Sequence, residues 1–387
     1  MLLIFHERSG SLNSVVRLYF VNSMKHYLNV FLLLIAFFLT ALSSSCSFLS
    51  SLPLNNKAQQ KVLEKPRSLN SDNPYDLYLI ELKEDFRRKD FATIEQKAET
   101  ARTKKERFEG GAWKIKALYE AFEQPLNNST NEEEWKQHFA ILEKWKNNRP
   151  TSVTAGLALS QALLTYAEQA RSLGNSNTVS RNDWRLFDER LKLAEDQLDE
   201  VARLADKCPV YYHQMLILGL WRSWRYERFD KVFRDAVAFE PQYQYYYRQK
   251  AVYLLPRWHG NPGEWEQFAD ETMNALGGKD GVEMYYQIVS NMSRHHGSSF
   301  FQKNKVSWIK TKEGFAEFER RYGMSKEKLN EFGRMAMFAG DTEAACQTFK
   351  RISENDFDGT VWESKESFEF YRNGALVGCK ALETSIK

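Results

Sequence analysis

Apolar residues recur along much of this chain at intervals of three and four positions, the spacing that places them on one face of an α-helix. Leu191, Ala194, Leu198, Val201 and Ala205 show this spacing most clearly. Runs that alternate strictly between apolar and polar residues, which are typical of half-buried β-strands, are scarce. The pattern therefore predicts an all-α fold.

Three short segments carry the residues that commonly begin a helix: 73–74, 131–134 and 261–264. Each opens with an asparagine, whose side chain can accept a hydrogen bond from an amide of the first turn. A proline or a glutamate follows at a position that suits the start of a helix. We expect helices to begin at these three places.

Three longer stretches share a spacing of small and large residues with a period of about 34 residues. They cover residues 79–101, 211–241 and 329–352, and the last contains Gly333, Gly340, Ala345, Phe349 and Ile352. Small residues let paired helices approach, and large residues fill the space between pairs. The stretches resemble tetratricopeptide repeats, which implies a tetratricopeptide-like array of helix pairs, an α-solenoid. An irregular helical bundle is the alternative.

A second resemblance rests on one motif. Residues 257–265 have the form R-W-x-G-x-P-x-x-W, and Phe268-Ala269 follows it. The motif is similar to one in a bacterial family catalogued as domain of unknown function 4034, and the resemblance covers about residues 75–350. It implies a helical fold and says nothing about chemistry.

The amino-terminal region has the parts of a secretory signal peptide. Lys25 and His26 supply a positive start, an apolar run extends from Tyr27 to Leu42, and three serines precede Cys46. The run is shorter than the roughly 20 residues that a spanning helix needs. We expect a signal peptide at residues 24–45, with residues 1–23 belonging to an over-long reading of the gene. An uncleaved anchor at residues 15–42 is the alternative.

Cys46, directly after these small residues, resembles the lipid-attachment cysteine of bacterial lipoproteins. The resemblance implies cleavage before Cys46, acylation of its thiol and new amino group, and attachment to a membrane through this anchor. Ser47 in the next position implies the outer membrane of a Gram-negative cell, facing the periplasm. Residues 46–72 contain many Ser, Asn and Lys residues and predict a flexible tether.

The rest of the chain is long enough for two helical lobes, because domains usually have about 100–200 residues. We expect an N-terminal helical lobe at residues 73–206 and a tetratricopeptide-like lobe at residues 207–387. The formal net charge is +3, and basic residues form no continuous stripe. The charge therefore argues against a nucleic-acid partner.

We find no motif for catalysis, metal binding or cofactor binding. The sequence lacks H-E-x-x-H, C-x-x-C, G-x-S-x-G and P-loop patterns. His295-His296 precedes Gly297, which favours a surface loop over a metal site. Ser325 begins an S-x-x-K match that is better explained as a helix cap. Acidic residues are so abundant that the sequence nominates no catalytic carboxylate pair.

Three cysteines follow Cys46: Cys208, Cys346 and Cys379. A disulfide is permitted outside the cytoplasm. Cys346 falls in the last predicted helix pair and Cys379 in the terminal helix, so these two can meet. A Cys346–Cys379 disulfide and three small buried thiols are both consistent with the sequence.

The aromatic residues concentrate between residues 211 and 268. Most of them are expected to pack between helices. Tyr243 and Tyr245–Tyr247, however, occupy four of five successive positions, and one helix face cannot hold them all. Because tyrosine, tryptophan and arginine are typical binding anchors, we expect a partner-binding surface here. Its candidate residues are Tyr246, Arg257, Trp258 and Trp265.

Together these features indicate a non-enzymatic, lipid-anchored interaction or assembly protein of the bacterial cell envelope, with a protein or peptide partner. Helical arrays expose long surfaces that suit this work. An envelope hydrolase acting on peptidoglycan or peptides, with unrecognised acidic or histidine catalytic residues, is the first alternative. A sensor of small ligands held between helices is the second. The sequence leaves the oligomeric state open.

Overall fold

The computed structural model describes residues 69–128, 130–171 and 179–385, in which 16 α-helices occur without a β-strand. The predicted all-α class is confirmed. The predicted signal peptide, Cys46 and most of the tether lie outside these residues. Within the described part of the chain, every helix is too short or too polar to cross a membrane.

Six helices lie before residue 207: α1 (Pro74–Arg87), α2 (Phe91–Thr103), α3 (Lys114–Glu120), α4 (Glu132–Asn148), α5 (Val153–Ala170) and α6 (Arg181–Ala202). Five follow up to residue 293: α7 (Pro209–Trp221), α8 (Tyr226–Phe239), α9 (Gln244–Tyr253), α10 (Glu264–Leu276) and α11 (Gly278–Ser293). The last five are α12 (Phe300–Lys303), α13 (Trp308–Tyr322), α14 (Lys326–Ala339), α15 (Thr342–Phe349) and α16 (Lys365–Ser385).

Two of the three predicted helix starts are confirmed. The Asn73 side chain accepts hydrogen bonds from the first amides of α1, and Asn131 caps α4 in the same way. The third prediction is wrong by two or three residues. There α10 begins at Glu264 after Gly263, and the Asn261 side chain donates to the Glu264 carboxylate instead of capping an amide.

Helices that are close in the chain pack against one another, α5 on α6, α7 on α8, α10 on α11 and α14 on α15. A side chain at Gly219 would place its Cβ 2.7 Å from the Trp224 ring, so α7 and the turn after it approach too closely for any other residue. The predicted face of α6 is buried from Leu191 to Val201. Ala205 lies beyond the end of this helix and is exposed.

One apolar core runs from Leu79 on α1 to Met335 on α14. It contains residues from both predicted lobes and therefore continues across the boundary at residue 206. A smaller cluster joins α14, α15 and α16, with Phe349 and Phe368 fully buried in it. The described helices thus form a single packed unit.

The loop between α2 and α3, residues 104–113, connects the first helices to much later parts of the chain. Trp113 donates its indole hydrogen to Oε1 of Gln244 over 2.7 Å, and Gln244 donates from Nε2 to the Gly111 carbonyl over 3.1 Å. The Arg107 guanidinium lies 4.2 Å from the Trp113 ring centroid and 4.6 Å from that of Tyr322. We call these five residues the Gln244 clasp.

Glycine is required where this loop meets α13 and α14. Gly110 and Gly111 both have φ of +78°, a conformation that other residues seldom adopt. The Gly110 amide donates to the Tyr322 carbonyl over 3.1 Å. A Cβ at Gly110 would lie 2.6 Å from the Ser325 hydroxyl, so a larger residue would push the loop off α14.

The sequence places four tyrosines in five positions, more than one helix face can hold, and the structure buries three of them. Tyr243, Tyr246 and Tyr247 are buried, and Tyr245 is half-buried. The physical reason is that α9 packs on α7, α10 and α11, and also on α8, so more than one of its faces is covered. Tyr243 directly precedes α9, so its side chain does not have to follow the spacing of the helix faces.

Cys346 on α15 and Cys379 on α16 form a disulfide with Cα atoms 5.2 Å apart. Of the two interpretations that the sequence left open, the structure contains the bonded one. Cys208 is a free, fully buried thiol. The bond closes a loop that separates the two cysteines by 33 residues and fastens the terminal helix to the small core cluster.

We predict that Cys346→Ala lowers the free energy of unfolding by about 3–4 kcal/mol, since the bond restricts the unfolded chain over a loop of this length. Urea unfolding followed by circular dichroism measures the change. Reduction of the wild type should produce a similar loss and leave Cys346→Ala unaffected. An unfolding midpoint that does not move in either case would contradict the structural role of the bond.

Candidate functional site

Two of the four predicted binding residues lie in the core. Tyr246 has no exposed surface, and its hydroxyl donates to the Pro209 carbonyl over 2.9 Å. Trp265 is 2% exposed and stacks on Phe300 with 6.0 Å between ring centroids. Neither side chain can line an open surface, so the predicted surface is corrected to the residues that remain accessible.

The other two predicted residues, Arg257 and Trp258, lie in the loop between α9 and α10. Arg257 is exposed and donates from Nη2 to Nδ1 of His295 over 2.9 Å. Trp258 is half-buried, and the Arg171 guanidinium at the end of α5 lies 5.7 Å from its ring centroid. The same guanidinium lies 6.0 Å from the Trp184 ring on α6. We call Arg171, Trp184, Arg257, Trp258 and His295 the Trp258 patch.

The Trp258 patch contains two arginines. Among the described residues, no carboxylate lies within 4.0 Å of either guanidinium, but the charge of Arg171 acts on Glu168 of α5 and opposes the burial that raises the pKa of this carboxyl. Burial, and after it the neighbouring charge of Arg257, lowers the pKa of His295 to about 4. The imidazole is therefore neutral at physiological pH and accepts the hydrogen bond from Arg257 without balancing its charge.

A second group of polar residues surrounds Tyr245 between α3, α7 and α9. The Lys116 ammonium lies 6.0 Å and the Arg248 guanidinium 5.6 Å from the Tyr245 ring centroid. The rings of His213 and Tyr243 have their centroids 5.5 Å and 5.0 Å from that of Tyr245. We call these five residues the Tyr245 cluster.

Two carboxylates lie beside the Tyr245 cluster. Glu120 accepts hydrogen bonds from the Tyr75 hydroxyl and the Lys116 ammonium. Glu123 follows the end of α3 and accepts a long hydrogen bond of 3.4 Å from Gln161. Burial and the charge of Glu120 raise the pKa of Glu123 to about 7. Glu123 can therefore exchange a proton near neutral pH, which a sequence-based search could not show.

The histidine pair and the serine that the sequence analysis considered lie in a loop and at a helix start. His295 and His296 lie in the loop between α11 and α12, as the sequence predicts. Ser325 caps α14 by accepting from the Lys328 amide over 3.3 Å. Within the described residues, no three His, Cys, Asp or Glu side chains are placed to hold a metal ion together.

Sequence reasoning missed Arg171, Trp184 and Lys116. Arg171 and Lys116 reach their sites through contacts between residues far apart in the chain, Arg171 with Trp258 and Lys116 with Tyr245. No local motif marks such a pair. The one available signal was the concentration of tyrosine, tryptophan and arginine, which pointed to Arg257 and Trp258 but also to the buried Tyr246 and Trp265.

Comparison with known proteins adds no relative. No protein-family model matches the chain, and no curated protein or solved structure matches it significantly. The resemblance of residues 257–265 to the bacterial family named above therefore stays a prediction, and functional inference rests on the two groups of residues just described.

Proposed function

We propose that this protein is a non-enzymatic interaction or assembly protein of the bacterial cell envelope. In this proposal a lipid at Cys46 anchors the chain to the outer membrane, facing the periplasm. A tetratricopeptide-like arrangement of the helices presents the Trp258 patch to a partner. The partner is a protein that offers an acidic segment.

The Trp258 patch carries this proposal. Two half-buried tryptophans and two guanidiniums lie together at loops and helix ends, and within the described part of the chain the Arg257 guanidinium bonds only to a neutral imidazole. Tryptophan and arginine supply a large share of the binding energy in protein interfaces. The positive charge of the arginines favours a partner with carboxylates, because charge complementarity selects partners and speeds encounter. These residues also cluster at loops, where binding sites commonly lie.

We expect a photo-crosslinking residue at the exposed position His259 to capture one defined envelope protein through a peptide rich in Asp and Glu. In Arg171→Gln, Arg257→Gln the yield should fall by at least about tenfold, since truncated anchor residues commonly cost 2 kcal/mol or more. Mass spectrometry of the crosslinked peptide measures both outcomes.

Phe239→Ala is the matched control, because Phe239 is 40% exposed and lies outside the Trp258 patch. It should leave the yield unchanged. Equal capture by the arginine variant and the wild type would contradict the proposal. Crosslinks to lipid alone, with no protein, would contradict it as well and would point to the membrane surface.

The second candidate function is an envelope hydrolase, and Glu123 is the observation that favours it. A carboxyl group with a pKa near 7 beside the second carboxylate of Glu120 has the proton affinity of a general acid. Peptidoglycan and peptides are the substrates to test. The Tyr245 cluster would then supply the positive charge around the reacting group.

Glu123→Gln distinguishes the two candidates. If the protein is an interaction protein, neither the wild type nor the variant releases soluble fragments from peptidoglycan or cleaves peptides, and equal activity in both would exclude Glu123 as the general acid. A hydrolase would release fragments in the wild type and lose at least about a hundredfold in rate in the variant.

The same variant has a pH signature that is independent of activity. Because the folded-state pKa of Glu123 lies above that of the unfolded chain, the wild type loses stability as pH rises from about 4.5 to 7. Glu123→Gln keeps the group neutral and should be more stable by about 3 kcal/mol at pH 8. Urea unfolding at pH 5 and pH 8 measures this difference, and a destabilised variant at pH 8 would contradict the assignment.

A further inference from the structure

We propose that the Tyr245 cluster binds a small ligand through an oxyanion group, a carboxylate or a phosphate, held between Arg248, His213 and Tyr243. This site lies on other helices than the Trp258 patch and does not depend on the proposed partner. It would make the protein respond to a small molecule as well as to a protein.

Arg248 supplies the charge that calls for an anion. Its Nη2 donates to the neutral carboxamide of Gln287, and its Nε has no hydrogen-bond partner among the described residues. No carboxylate in the described part of the chain lies within 4.0 Å of it. The Lys116 ammonium faces the Tyr245 ring from α3, where it is paired with Glu120. A half-buried guanidinium that has no carboxylate partner favours an oxyanion, because its planar donors can bind one with two hydrogen bonds.

Two further polar atoms of the cluster have no partner among the described residues. The Tyr243 hydroxyl belongs to a side chain with no exposed surface, and Nδ1 of His213 belongs to one that is 8% exposed. Their ring centroids are 6.3 Å apart, and both rings contact Tyr245. Buried polar groups are nearly always hydrogen-bonded, because an unpaired one costs the free energy of its lost hydration.

The nature of these atoms specifies the ligand group. A phenol hydroxyl can donate, and a neutral imidazole can donate from Nδ1. Burial and the charges of Lys116 and Arg248 lower the pKa of His213 to about 3, so the ring stays neutral in the empty site. The guanidinium, the hydroxyl and the imidazole together offer donors, which an oxyanion accepts and a cation does not.

Three carboxylates lie beside this site, and none of them pairs with Arg248. Burial raises the pKa of Glu123 to about 7 and also raises that of Glu283. Glu120 is already paired with Lys116 and Tyr75, and Glu283 is hydrogen-bonded to Gln287. The Lys116 and Glu120 side chains remain 11% and 29% exposed, and Tyr245 and Arg248 are half-buried. These four side chains therefore leave one edge of the cluster in contact with solvent.

Isothermal titration calorimetry of the full chain with sodium acetate and with sodium phosphate tests the proposal, at constant ionic strength in chloride. We expect saturable binding of one anion per chain with a Kd below about 10 mM for at least one of the two salts. A preference for acetate would identify a carboxylate ligand, and a preference for phosphate a phosphorylated one.

Tyr243→Phe is the decisive variant, because it removes only the unpartnered hydroxyl. It should weaken binding about tenfold and leave the unfolding midpoint of the anion-free protein unchanged or higher. Arg248→Gln should weaken binding by about a hundredfold. Tyr246→Phe is the matched control: its hydroxyl is equally buried but bonded to Pro209, so it should lower the unfolding midpoint and leave affinity unchanged.

Arg225→Gln controls for the loss of one positive charge. The Arg225 side chain is 90% exposed, and its ion pair is with Glu227, which is not part of the Tyr245 cluster. It should bind as the wild type does. The proposal is overturned if neither salt gives saturable heat, or if Tyr243→Phe binds as tightly as the wild type.

Discussion

The hydrogen bonds of Gln244 join the loop between α2 and α3 to the start of α9, two parts of the chain that are far apart in sequence. Its carboxamide is 2% exposed and is satisfied on both sides, by the Trp113 indole and by the Gly111 carbonyl. A buried amide that lost either partner would carry an unpaired polar atom, so the loop between α2 and α3 has one favourable position. The Arg107 guanidinium reinforces that position by stacking on both Trp113 and Tyr322.

This constraint determines where the Tyr245 cluster forms. Trp113 directly precedes α3, which carries Lys116 and Glu120, and Gln244 is the first residue of α9, which carries Tyr245 and Arg248. Joining the two helix starts places the Lys116 ammonium over the same ring that the Arg248 guanidinium faces from its own helix. The positive character of the cluster is thus a consequence of the Gln244 clasp. The Trp258 patch lies at other loops and is assembled by Arg171 independently of it.

Local signals in the sequence predicted what local physics controls. Asn73 and Asn131 cap helices because a side-chain oxygen and nearby amides are enough to begin one. Small and large residues such as Gly333 and Phe349 meet because they lie on consecutive helices, with a hypothetical Gly333 Cβ 3.2 Å from the Phe349 ring. Burial of Tyr246 and Trp265 was not predictable in this way, since it depends on how many helices surround α9 and α10. The pairing of Arg171 with Trp258 and of Trp113 with Gln244 depends on contacts across more than 80 positions, for which a single sequence gives no signal.

A double-mutant cycle between Trp113→Phe and Gln244→Leu, measured by urea unfolding, tests most directly whether the clasp organises the molecule. The two residues are separated by 131 positions and joined by a buried hydrogen bond. The account predicts a coupling free energy of about 1–2 kcal/mol, because either variant alone already removes the bond. Effects that add to within about 0.3 kcal/mol would show that the two residues do not interact and would contradict the account.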